Sequence, residues 1–242
     1  MTTRIAMWSG PRNISTAMMR AWENRSDCAV LDEPFYGFYL QRTGLDHPGA
    51  EEVIASQESH WQAIVEKCLG IPAESKRVFY QKHMTLHLLE EIDRAWLPEL
   101  NNCFLIREPE AVISSYSAVR ANVRVADIGF VQQVELYDAV TDMTGEAPLV
   151  IDSTEFLKRP EAHLRAWCVR LGIPFEATML SWPAGARDTD GVWARHWYSA
   201  VNQSTGFSPP IASRYDLDAQ GQALVDAVQP HYEYLFERRL VP

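Results

Sequence analysis

The segment that most constrains this chain is Trp8-Ser9-Gly10-Pro11-Arg12-Asn13-Ile14-Ser15-Thr16, because it joins a short apolar run to a helical pattern continuing through Ala17, Met18, Met19 and Trp22. A strand that turns through Gly-Pro into a helix is where an α/β protein receives an anion. The first turn of the helix offers unpaired N–H groups and a partial positive charge. Ser15 and Thr16 add hydroxyl donors, and the Arg12 guanidinium can hold two oxygens of a phosphate or sulfate at once. The plainer reading of the same residues is an N-capping turn beside a surface arginine. A nucleoside-triphosphate loop of the form GxxxxGK[ST] is excluded, since Asn13 and Ile14 stand where Gly-Lys is required.

Further apolar runs recur along the chain, each followed by helical spacing. Arg4 to Trp8, Ala29 to Leu31, Val78 to Gln81, Cys103 to Ile106 and Leu149 to Ile151 read as strands. Ser15 to Asn24, Glu110 to Arg120, Asp127 to Thr141 and Glu161 to Leu171 read as helices. This alternation predicts an α/β fold of P-loop type, three layers with a central parallel sheet flanked by helices. A length of 242 residues fits one domain spanning 1–242. Two stretches break the pattern. Gln41 to Ser59 reads as a surface excursion that helps form a substrate entrance, and 182–214, rich in Gly and Pro with Trp193, Trp197 and Tyr198, as a C-terminal lid.

A formal charge of -10 excludes a broad basic surface for nucleic acid, so any anion site is local. No apolar run approaches the roughly 20 residues of a membrane-spanning helix, the first apolar segment is too short for a signal peptide, and the expected location is cytoplasmic. Cys28, Cys68, Cys103 and Cys168 are widely spaced in apolar surroundings and read as reduced, buried thiols. His83 and His87 share helical spacing, but no HExxH or carboxylate set accompanies them, so no metal is expected. Oligomeric state is not legible.

A second strand-to-helix junction follows at Leu105-Ile106-Arg107-Glu108-Pro109, continuing to Ser114-Ser115-Tyr116. Pro109 suits a first helical turn, Arg107 emerges at the strand's carboxyl end, and Ser115 lies within reach of a second phosphate. Together the two junctions resemble the sulfotransferase family that uses 3'-phosphoadenosine 5'-phosphosulfate (PAPS). Pro11-Arg12-Asn13-Ile14-Ser15-Thr16 is similar to its 5'-phosphosulfate loop, P-[KR]-S-G-[ST]-T. Arg107, Pro109 and Ser115 match its R-x-P-(x)5-S 3'-phosphate motif. Gly191-Val192-Trp193 with Arg195 is similar to its G-x-W-[KR] region, and the stretch Ile151 to Phe175 resembles the family's late helix and turn. The sequence departs from the pattern at Ile14, which replaces the loop glycine, at Asn13, at the spacing of Arg195, and at Ser153, where a stacking tyrosine often lies.

The resemblance implies PAPS as donor and a hydroxyl or amine of a small molecule or glycan as acceptor. It places Arg12, Asn13, Ser15, Thr16, Arg107, Ser115, Trp193 and Arg195 at the donor. Sulfuryl transfer also needs a base for the acceptor proton. Glu33, 21 positions after Arg12, resembles the glutamate of tyrosylprotein sulfotransferases. His83 resembles the K-x-H histidine of cytosolic ones, with Gln81 in the lysine place. A small-metabolite kinase and a non-catalytic nucleotide-binding module are the alternatives; the kinase lacks its loop lysine.

Overall fold

A computed structural model describes residues 2–72, 75–120, 122–210 and 215–242; the last four residues of the expected 182–214 lid lie outside it. Five parallel strands, β1 (Thr3–Ser9), β2 (Cys28–Asp32), β3 (Val78–Met84), β4 (Asn101–Ile106) and β5 (Leu149–Asp152), form one sheet in the order β2-β3-β1-β4-β5. The sheet is buried on both faces, as parallel sheets must be when crossovers lay helices on each side. Side-chain alternation divides the strands between two cores. Ile5, Met7, Tyr80, Cys103 and Leu105 pack with Met18, Met19 and Trp22 of α1 (Ser15–Glu23) on one face. Ala6, Trp8, Phe104 and Ile106 pack with Val112, Ile113 and Tyr116 of α5 (Pro109–Ser117) on the other.

This division locates the crevice. α1 leaves β1 toward one face and α5 leaves the neighbouring β4 toward the opposite face, so the chain parts between the carboxyl ends of β1 and β4. That is where open α/β sheets bind ligands.

The remaining helices are α2 (Tyr36–Thr43), α3 (Ala50–Ser56), α4 (Trp61–Leu69), α6 (Val125–Ile128), α7 (Phe130–Thr144), α8 (Ser153–Lys158), α9 (Pro160–Arg170), α10 (Ala194–Trp197), α11 (Ser199–Asn202) and α12 (Ala219–Phe236). The helix expected over Asp127 to Thr141 is broken at Gly129, whose φ of 77° interrupts it. The Gln41 to Ser59 stretch, read as an irregular excursion, contains α3. Gln57 just beyond it accepts from the Gly37 N–H and donates to the Glu33 carbonyl (2.9 Å). The four cysteines are free and buried. Among the described residues no helix is long and apolar enough to cross a membrane.

Gly10 is where the β1 turn passes closest to the α6–α7 junction. A Cβ there would lie 2.7 Å from the Ile128 carbonyl oxygen. Gly10→Ala should therefore destabilise the protein by about 1–3 kcal/mol through overpacking, read as a fall of several degrees in Tm by calorimetry. An unchanged Tm would mean that this junction yields freely.

Candidate active site

A cavity of about 420 Å³ opens at the carboxyl ends of the strands and is lined on one side by residues 10–17, Arg107 and Ser115. The turn after β1 places its left-handed residue at Arg12 (φ 57°), while Ile14 has φ -84° and ψ 20°. The loop therefore needs no glycine at Ile14, and that side chain instead packs on the core beside α1. The Asn13 side chain braces the turn, donating to the Leu105 carbonyl (3.0 Å) and accepting from the Ile14 N–H (2.8 Å). Among the described residues no side chain caps α1, so its first-turn N–H groups line the cavity without a side-chain partner there.

The two motifs meet here. Arg12 Nε donates to Ser115 Oγ (2.9 Å), and Arg107 donates to the Arg12 carbonyl (2.5 Å). Burial, and then the neighbouring Arg107 charge, lower the pKa of Arg12. Two like charges held together in this way favour any negative charge placed beside them.

Opposite the cradle lies a buried carboxylate pair. Asp32 and Lys82 are register partners on β2 and β3 and face the α1 side of the sheet. Glu33, the next residue, would point to the other face in a regular strand. Its φ of 37° turns it back, so both carboxylates reach the same ammonium. Lys82 Nζ donates to Asp32 Oδ1 (3.0 Å), to Glu33 Oε1 and to Tyr198 Oη (2.6 Å). Its three protons are thus all engaged. Tyr198 Oη donates in turn to Asp32 (2.8 Å to Oδ2) and accepts from Trp193 Nε1 (3.1 Å).

Burial raises the Glu33 pKa, and the Asp32 charge adds to that against the opposing pull of Lys82. For Lys82, burial alone would lower the pKa, but Asp32 and Glu33 outweigh it and hold the ammonium firmly charged. One cation between two carboxylates leaves one carboxyl able to take a proton, and Glu33 is the one that lines the cavity.

The structure brings Arg12, Asn13, Ser15, Thr16, Arg107, Ser115 and Glu33 to this one cavity. It does not bring His83, Trp193 or Arg195. His83 lies on the opposite face of β3 from Lys82, 1% exposed, stacked on Trp8 (4.3 Å between centroids) and 3.1 Å from Gln81 Oε1. Burial pushes its pKa down to about 3. Trp193 is buried behind Tyr198 against Tyr36, and Arg195 pairs with Glu52 on the surface. From the 182–214 stretch the cavity is lined instead by residues that include Trp197, Tyr198, Val201, Ser204 and Phe207. This stretch is tied down by the buried Arg20–Asp190 pair (2.6 Å) and by the Gly191 N–H, which donates to Asp32 (3.2 Å).

Sequence reasoning did not single out Asp32, His47 or Arg120, and it weighed His87 only as a metal ligand. His87 is buried between Tyr36 and Tyr39 (4.7 Å to each ring), with Nδ1 3.9 Å from Glu33 Oε2; burial drives its pKa well down. Parity along β3 was the available signal for Lys82 over His83, since in a strand only every second residue faces one side.

A family model described as "Sulfotransferase domain" matches residues 3–239. Two curated proteins of Arabidopsis thaliana, branched-chain-amino-acid aminotransferase-like proteins 1 and 2, are 34% and 35% identical over 237 and 231 residues. These matches take in 95% and 96% of this chain but 42% and 41% of theirs, so the chain spans about two fifths of those relatives. Among solved structures, a sulfotransferase from Alicyclobacillus acidocaldarius is similar at TM-score 0.61 and 13% identity, covering 100% of this chain and 98% of that one. A mouse sulfotransferase complexed with PAP is similar at TM-score 0.55 and 13% identity, covering 98% and 89%. At such identities these structures speak for the fold.

Proposed function

Because this chain belongs to the sulfotransferase domain family, we propose that it transfers a sulfuryl group from PAPS to a hydroxyl or amine of a small molecule or glycan. The observation that carries the proposal is one cavity holding two guanidiniums without a carboxylate partner among the described residues and an uncapped helix N-terminus on one side, and a buried carboxylate on the other. Arg12 and the first turn of α1 suit the 5'-phosphosulfate, and Arg107 with Ser115 suits the 3'-phosphate. The fit is supported by Arg12 and Arg107 standing side by side, which an anion relieves.

In this reading the acceptor oxygen bonds to sulfur as the bond from sulfur to the leaving phosphate oxygen breaks. Glu33 takes the acceptor's proton, and Arg12 neutralises the charge growing on the leaving phosphate, a contribution that rises toward the transition state. Lys82, its protons committed, orients Glu33.

Isothermal titration tests the donor assignment. Adenosine 3',5'-bisphosphate should bind more tightly than ATP, and Arg12→Ala or Arg107→Ala should each weaken it by about tenfold to a hundredfold, the loss of a charge-assisted hydrogen bond or two. Equal affinity for ATP, or bisphosphate binding indifferent to both substitutions, would refute it.

A further inference from the structure

The donor reading accounts for Arg12 and Arg107 but leaves a third guanidinium on the cavity wall, that of Arg120, half-buried beyond the end of α5. Its field reaches Tyr116, Tyr36, His47 and Asp127. It therefore belongs to the end of the cavity that Glu33 faces, because Tyr36 begins the helix just after Glu33 and bonds His47 (2.7 Å). Among the described residues Arg120 forms no ion pair. Its one backbone contact, to the Asp46 carbonyl, is 3.5 Å long.

Besides Glu33, Asp127 is the carboxylate that lines the cavity among the described residues, and it is already engaged. Arg124 grips it with two side-chain bonds (2.9 and 3.2 Å) and its backbone N–H (3.0 Å). A free cation beside a committed anion selects for negative charge, and in a protein of net charge -10 an anionic acceptor needs such a local attraction. Tyr36, Leu86 and Trp197 add apolar surface to the wall of the same cavity. We infer that the acceptor is a small hydroxy acid, its carboxylate held by Arg120 while its hydroxyl meets Glu33. This inference rests on the sulfotransferase reading.

Equilibrium binding to the protein saturated with adenosine 3',5'-bisphosphate tests it without requiring turnover. The probes are 4-hydroxyphenylacetate and 3-hydroxybutyrate, each beside its uncharged amide. At least one acid should bind about tenfold tighter than its amide, the worth of one charge-assisted contact. Arg120→Met should erase that preference, Arg120→Lys should restore part of it, and bisphosphate affinity should stay within about twofold in both variants. Acids that bind no better than their amides, or not at all, overturn the inference and leave the donor reading standing. So does a loss of bisphosphate affinity in Arg120→Met, which would assign Arg120 to the donor. Failure of the native protein to bind bisphosphate overturns both.

Discussion

Glu33→Gln should lower kcat by at least about a hundredfold while leaving bisphosphate affinity unchanged. The amide keeps the size of the side chain and can still accept from Lys82, so the cluster of Asp32, Lys82 and Tyr198 has no reason to collapse. What it loses is the ability to take a proton. The pH dependence carries the same signature. Burial raises the Glu33 pKa, and the base works only when ionised, so kcat should rise with pH through a midpoint above the ordinary carboxylate range and be lost below it. In Glu33→Gln that rise should vanish, leaving a low plateau. Single-turnover rates across pH read both effects at once. A native pH profile in the Glu33→Gln variant would remove Glu33 from the chemistry.

Asp190→Ala should destabilise the protein by about 3 kcal/mol, because it leaves the buried Arg20 guanidinium with only the more distant carboxylate of Glu23, 3.6 Å away. The Arg20 and Asp190 side chains are 1% and 4% exposed, and the pair spans 2.6 Å with a second contact of 2.7 Å. Asp190 also accepts from the Arg187 N–H (2.8 Å), and the next residue, Gly191, reaches Asp32. The loss should appear as a lower urea midpoint with an unchanged slope. Arg20→Met combined with Asp190→Leu should recover much of it, since well-packed apolar side chains can replace a buried ion pair. A midpoint within experimental scatter of the native one would mean that water reaches Arg20 and that the pair does not hold residues 182–207 to α1.

The sheet was legible because each strand is a short apolar run followed by a helical pattern, and the expected bounds at Arg4, Ala29, Val78, Cys103 and Leu149 fall inside the observed strands. Arg12, Arg107 and Glu33 could be placed at the cavity for the same reason, since each follows a strand end, whereas Ser115, inside α5, was placed by motif spacing. Contacts between distant segments were not legible. Nothing local marks Tyr198 as a partner of Asp32, 166 positions away. Trp193 and Arg195 answer to a motif, whereas the side chains reaching the cavity from that stretch include Trp197 and Tyr198, positions set by two short helices. The pattern also hides α12, which carries Pro230 in its interior, a residue that ordinarily breaks a helix. Toward the end of β3, Gln81 and His83 resemble a catalytic pair, but they serve the core: Gln81 donates to the Cys68 carbonyl (2.7 Å) and supports His83.

The alternation along β3 also governs how this protein can diverge. Tyr80 and Lys82 look toward α1 and the crevice, stacking on Trp22 and holding the two carboxylates. Phe79, Gln81 and His83 turn to the far side of the sheet. One peptide thus lies under two independent kinds of selection, interleaved residue by residue. Lys82 answers to charge and hydrogen bonding, Phe79 and His83 chiefly to packing, and either side can drift while the other stays fixed. A histidine on the odd register is free to become another ring of similar shape, and a lysine on the even register is not free to become anything uncharged.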